Sequence, residues 1–188
     1  MHIKGNPQVA EIPLTMIRPH LQGIPDVALP APYRIRSFRP GDEHLWAAIE
    51  WRAGEFPSQE QAELHFNREF GKHLDEMQLR CFILEDGPGT AVGTTTAWYN
   101  TLRGEPYGRI HWVAIVPEHQ GRGLAKPLLS HAMKRLADFH DRAYLTTQTT
   151  SWKAIQMYLQ FGFEPWVVEE SCREGWAMME ELLQRKLL

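Results

Sequence analysis

Apolar and polar positions repeat with two different periods along this chain, and the order of the two indicates a fold class. Tyr33 to Phe38 alternates at period two, as a half-buried strand does. After Gly41-Asp42 the period lengthens, so that Leu45, Trp46, Ile49 and Ala53 fall on one side of a helix. Ser58 and Gln61 have the spacing of a capping box, and the helix they open carries Ala62, Phe66, Phe70 and His73 as its inward stripe. Leu79–Glu85 and Thr90–Tyr99 read as strands joined at Asp86-Gly87-Pro88-Gly89, a hairpin signal. A loop, Asn100–Gly108, leads into a strand at Arg109–Val116 that Pro117 closes. Residues 123–140 read as a helix facing inward through Leu124, Leu128, Ala132, Leu136 and Phe139. A strand at Arg142–Gln148, a helix at Ser151–Phe161 stopped by Gly162, and a strand at Phe163–Glu169 follow. Arg173–Leu188 places Trp176, Met179, Leu183 and Leu187 at helical spacing. The pattern predicts an α/β (α+β) fold, with a mixed central sheet of about six strands flanked by helices and a helix at its C-terminal end.

Residues 1–32 stand apart, because six of the 13 prolines lie there. Proline fixes φ and has no N–H to give a ladder, so this stretch is expected as an extended arm, with the folded domain at 33–188. Ile12, Leu14, Met16, Ile17 and Leu21 lie among those prolines, and a free tail would not need them. Part of the arm is therefore expected to pack on the domain, or on a second copy of the chain in a homodimer. The formal net charge of -3 gives no electrostatic case for nucleic acid or for an anionic membrane surface. Cys81 and Cys172 form no framework, and no apolar run approaches the length of a span, so the expected setting is the cytoplasm. The nine histidines show no metal-ligand spacing, and no metal is expected.

The chemistry concentrates in Val113-Ala114-Ile115-Val116-Pro117-Glu118-His119-Gln120-Gly121-Arg122-Gly123-Leu124-Ala125. A strand ends, and a glycine-bearing turn opens a helix. Glycines let backbone N–H groups approach an anion, and a helix N-terminus adds partial positive charge, so the turn suits a pyrophosphate. It is neither the three-glycine dinucleotide fingerprint nor a Walker loop. Pro127 lacks an N–H and fits the first turn of that helix.

Gln120-Gly121-Arg122-Gly123-Leu124-Ala125 resembles the CoA-binding motif of the GNAT acetyltransferases, Gln/Arg-x-x-Gly-x-Gly/Ala. Ala154 to Phe163 is similar to the family's second signature, Ala-x-x-x-Tyr-x-x-x-Gly-Phe. The resemblance covers about Tyr33 to Phe163. It implies a splayed sheet that takes acetyl-CoA between the strands at 109–116 and 142–148. The pantetheine would pair with backbone at Val113, Ala114 and Ile115, and the pyrophosphate would sit on Gln120–Lys126, that is Gln120, Gly121, Arg122, Gly123, Leu124, Ala125 and Lys126. Ser151 stands where the family often has an Asn that contacts pantetheine, but a serine there is first of all an ordinary helix N-cap. Tyr158 corresponds to the tyrosine that protonates the leaving thiolate, and His111 is the candidate base for an amine. Strand periodicity puts His111 on the face of Val113 and Ile115. Trp98, Tyr99 and Trp112 are expected to border the acceptor pocket. The resemblance thus implies transfer of an acetyl group from acetyl-CoA to a small-molecule primary amine by direct attack in a ternary complex. The alternative is a non-catalytic acyl-CoA-binding module.

Overall fold

The computed structural model describes residues 10–188. Seven strands form one sheet: β1 (Pro13–Arg18), β2 (Arg34–Ser37), β3 (Cys81–Glu85), β4 (Ala91–Leu102), β5 (Glu105–Ile115), β6 (Ala143–Gln148) and β7 (Glu164–Trp166). Six α-helices accompany them: α1 (Glu43–Ala53), α2 (Gln59–Phe70), α3 (Leu74–Arg80), α4 (Ala125–Ala137), α5 (Trp152–Gln160) and α6 (Glu170–Leu183). The strand order is β2-β3-β4-β5-β6-β1-β7. No helix among the described residues is long and apolar enough to cross a membrane.

The first correction concerns the arm. Of its expected residues, 1–9 lie outside the described ones, but Pro13–Arg18 does not precede the sheet; it forms a strand inside it. β1 runs antiparallel to β6 from Pro13–Gln148 to Arg18–Ala143, and antiparallel to β7 from Thr15–Trp166 to Ile17–Glu164. Leu14, Met16 and Arg18 are buried and alternate with half-exposed Thr15 and Ile17. Pro13 is the first residue of the strand and Pro19 follows the last, positions where the missing N–H costs least. The chain then crosses α4, where the Ser130 hydroxyl donates to the Pro25 carbonyl at 2.7 Å, and reaches β2 at the opposite edge. Truncating Leu14, 1% exposed and packed against Gly175 of α6, should cost about 2–5 kcal/mol. The midpoint of denaturant unfolding of Leu14→Ala reads that cost; a midpoint shift within error would mean that β1 is not integral to the fold.

Other boundaries also moved. The loop expected at Asn100–Gly108 is a continuation of both strands to a two-residue turn at Arg103-Gly104. Both turn residues have positive φ, 52° and 82°, the conformation whose twist suits a tight hairpin. Leu79 and Arg80, expected to open a strand, instead end α3, and β3 begins at Cys81. His73, expected in the inward stripe of α2, lies past the end of that helix, and Phe139 is exposed beyond α4 beneath the Arg80 guanidinium.

The sheet's two faces carry separate cores. Trp46, Phe66 and Phe70 of α1 and α2 pack with Phe38, Cys81 and Trp98. Leu129, Ala132 and Leu136 of α4 pack with Phe82, Ala97 and Ile110 on the other face. α6, with Trp176 and Met179 fully buried, lies against β1.

Candidate active site

β5 and β6 are parallel, but they pair only at Gly108–Ala143 and Arg109–Tyr144. Beyond those residues they diverge, and two cavities fill the opening. One, of about 480 Å³, lies over the turn before α4. The other, of about 220 Å³, lies between α1, β5, β6 and α5. Ala154 in the first turn of α5 lines both.

The larger cavity is lined by Ile115, Gln120, Gly121, Gly123, Leu124, Ala125 and Lys126. Gly121 and Gly123 have φ of 74° and 76° with open space where a Cβ would stand, so backbone conformation, not crowding, is what calls for glycine. The backbone N–H groups from Gly121 to Lys126 precede the bond from Leu128 N–H to Leu124 C=O, so helix geometry leaves them free to meet a ligand. The Gln120 amide donates to the Ile115 carbonyl at 2.8 Å and ties the turn to the strand. Lys153 of α5, which the motif reading did not single out, joins Lys126 at this cavity. Arg122 points elsewhere, to Tyr33 and the Glu118 carbonyl, and Ala114 is buried in the core. Backbone N–H groups at a helix start beside two lysines are a donor set that suits an anion such as a pyrophosphate.

The smaller cavity holds His111, Trp112, Val113, Ser151 and Tyr158. Ser151 occupies the N-cap position of α5 without a side-chain cap hydrogen bond, which removes the capping explanation for it. Tyr158 is held from behind. The Phe163 N–H donates to the Tyr158 carbonyl and the Gly162 N–H to the Leu159 carbonyl, a Schellman closure that Gly162 allows at φ 76°. The Gly-Phe of the second signature therefore fixes the helix end that presents the tyrosine. Burial, and after it the charge of Glu55, raises the Tyr158 phenol above its ordinary range, so it stays protonated.

His111 departs from the expected alternation. Thr94 faces Ala114 while Thr96 faces His111, so β5 carries one extra residue opposite Thr95. Trp112 absorbs it with a φ of 51°, unusual for an aromatic residue. His111 and Trp112 consequently turn to the same side, where both meet Glu69 of α2. His111 Nε2 lies 2.7 Å from one Glu69 oxygen, and Trp112 Nε1 donates to the other at 2.9 Å. His65 Nε2 reaches that second oxygen at 2.9 Å. Burial works to raise the Glu69 carboxyl, but His111, Trp112 and His65 outweigh it and hold the group well below the usual carboxylate range. An ionised carboxylate only accepts, so His111 Nε2 carries the hydrogen and Nδ1 keeps the lone pair. Burial lowers the His111 pKa and Arg109 adds to that, with Glu69 opposing. The ring is neutral at neutral pH, with its basic nitrogen defined by Glu69.

Glu69 escaped the sequence reading, although a signal was present: His65 and Glu69, four apart, flank the apolar stripe of Phe66 and Phe70. Trp98 and Tyr99 line neither cavity. Trp98 packs on Phe70 at 5.1 Å, and the Tyr99 hydroxyl donates to Glu76. No residue of α6 lines either cavity.

The Acetyltransferase (GNAT) family model matches residues 45–163, more than half of the chain. The chain belongs to the GNAT acetyltransferase family. Among the relatives of this GNAT protein is a mycothiol acetyltransferase of Thermobispora bispora, 30% identical over 165 residues, which are 82% of this chain and 54% of that protein. Another, of Saccharomonospora viridis, is 30% identical over 148 residues, 74% of this chain and 48% of that one. The chain spans about half the length of these curated relatives. In fold it matches a GCN5-related N-acetyltransferase of Sphaerobacter thermophilus with a TM-score of 0.63 at 23% identity, over 83% of this chain and 49% of the other. A tandem GNAT protein from the clavulanic acid biosynthesis pathway gives 0.60 at 18% identity, over 86% and 52% of the two chains.

Proposed function

We propose that this GNAT chain transfers an acetyl group from acetyl-CoA to a primary amine of a small molecule, by direct attack. What carries the reading is the meeting of the two cavities at Ala154: an anion-binding turn on one side, and a histidine and a tyrosine in opposite protonation roles on the other. Gly121, Gly123, Lys126 and Lys153 would hold the pyrophosphate, and the unpaired edge of β5 beyond Arg109 would meet the pantetheine. Bound there, acetyl-CoA supplies an acetyl group activated as a thioester.

The residues then divide the proton work. His111 Nδ1 takes a proton from the attacking nitrogen while Glu69 steadies the ring and its developing charge. Tyr158 offers its phenol hydrogen to sulfur. Its raised pKa makes it a weak acid at rest, so donation accompanies C–S cleavage and does not precede it. Neither cysteine suits a covalent relay: both are buried, neither lines a cavity, and burial pushes the Cys81 thiol up to about 11.

The test is free-CoA release from acetyl-CoA over a panel of amines, with Tyr158→Phe alongside. The wild type should release CoA in step with acetylated amine. Tyr158→Phe should lower kcat by about 10²–10⁴-fold while CoA affinity stays. Tight CoA binding with no turnover on any amine would instead mark an acyl-CoA-binding module.

A further inference from the structure

The cavity beside His111 holds a buried carboxyl and a guanidinium that do not satisfy each other. Glu50 of α1 is 0% exposed and lines this cavity, and neither of its carboxylate oxygens has a hydrogen-bond partner among the described residues. Arg109 of β5 lines the same cavity, two residues before His111. Its Nε is buried without a partner, and its only hydrogen bond to a described residue is a long one of 3.4 Å to the Thr146 hydroxyl. A buried carboxyl and a buried guanidinium N–H left unmade each carry a cost that folding ordinarily avoids. Their pairing with each other would remove it, yet no ion pair joins them. Glu55 also lines this cavity, while Glu69 is taken by three N–H donors and His111 by Glu69.

We infer that the acceptor is a zwitterion of the amino-acid class, received with its ammonium on Glu50 and its carboxylate on Arg109. This rests on the acetyltransfer reading above and narrows its substrate. The two groups stand on different elements, α1 and β5, so a single ligand bearing both charges would satisfy each where the protein alone does not. A guanidinium is the side chain whose planar donors match a carboxylate. A cavity of about 220 Å³ also sets a scale: it admits a compact acceptor and not a folded polypeptide. Burial raises the Glu50 pKa, so an arriving ammonium draws the carboxyl toward its ionised form and the carboxyl proton passes to solvent. Over the reaction the acceptor nitrogen gives up two protons. One leaves through His111 to solvent, and the other restores the Tyr158 phenol whose hydrogen has gone to the thiolate, as the N–C bond forms and the C–S bond breaks. The acylated nitrogen of the product is neutral and no longer complements Glu50, which favours release.

The experiment compares the standard L-amino acids with the amines left when their carboxylates are removed, on the full chain with acetyl-CoA. The preferred amino acid should exceed its matching amine by about 10-fold or more in kcat/KM, the ratio one charge-assisted contact supports. Arg109→Gln should collapse that preference, and Glu50→Gln should raise KM more than it lowers kcat. Melting temperature and CoA affinity report whether each variant is folded; Arg109→Lys should restore part of the preference. Calorimetric titration of the same amino acid and amine into CoA-saturated protein gives a second readout, and should show the same order. Amines acetylated as well as amino acids, or a preference that survives Arg109→Gln, would overturn the zwitterion inference and leave acetyltransfer standing. Failure of both sets on protein that binds CoA would overturn both.

Discussion

His111→Gln is expected to lower kcat by about 10²–10⁴-fold near neutral pH and to recover part of the loss as pH rises. Glutamine keeps a side chain that Glu69 can hold, but it cannot take a proton at neutral pH. At high pH more of the acceptor amine is already deprotonated, and the base matters less. The pH profile carries the sharper content. Burial and Arg109 push the His111 pKa below 6.5, so the imidazole stays neutral to lower pH than a free histidine. The acidic limb of kcat/KM should accordingly lie below about 6.5. Glu69 pulls the other way, since it favours the imidazolium. Glu69→Gln removes that pull, so the limb should move further toward acid while the rate falls, because the ring loses its orienting acceptor. A limb unchanged in His111→Gln would assign the proton to another group. A limb moving up in Glu69→Gln would contradict the geometry of the pair.

Gly123→Val should abolish measurable CoA binding while the fold persists. Two effects add at this position. A β-branched residue at φ 76° is strained, so the turn must relax toward negative φ and withdraw its N–H groups from the cavity. Whatever geometry survives, the added side chain stands where the structure leaves open space for a ligand. Gly123 lies ahead of α4 and contributes nothing to the core, so the thermal midpoint should move far less than the affinity. Calorimetry with CoA and a thermal melt of the same preparation separate the two. Unchanged affinity would remove the turn from the binding site.

The glycine turn before α4 is legible in the sequence because it is built from contiguous residues. Strand, turn and helix follow within one short stretch, and local chemistry is enough to read the two glycines, Pro127 and the Gly162 stop. Tyr158 was legible for the same reason, since its partners in the helix closure lie within five residues. The acceptor side was less legible because it is assembled across the chain. Glu50, Glu69 and Arg109 come from three elements, and nothing local marks their convergence. The turn of His111 and Trp112 toward one partner depends on an inserted residue in β5, and strict alternation cannot reveal an insertion. β1 was hidden differently. Leu14, Met16 and Arg18 show the alternation of a strand, but the surrounding prolines outweighed it, and its two partners lie far along the chain. Prolines that flank a strand and prolines that forbid one look alike until the register is known.

That same strand bears on the order in which the molecule can be completed. β2, β3, β4 and β5 pair with neighbours in sequence or nearly so, and this part of the sheet can assemble as it leaves the ribosome. β6 and β7 do not touch each other; each is bound to β1, which was synthesised first and has waited unpaired. Contacts between residues so far apart carry a large loop-closure cost and form slowly. β6 walls the smaller cavity, and α5, which follows it in the chain, walls both, so ligand-binding competence should be among the last properties the nascent chain acquires.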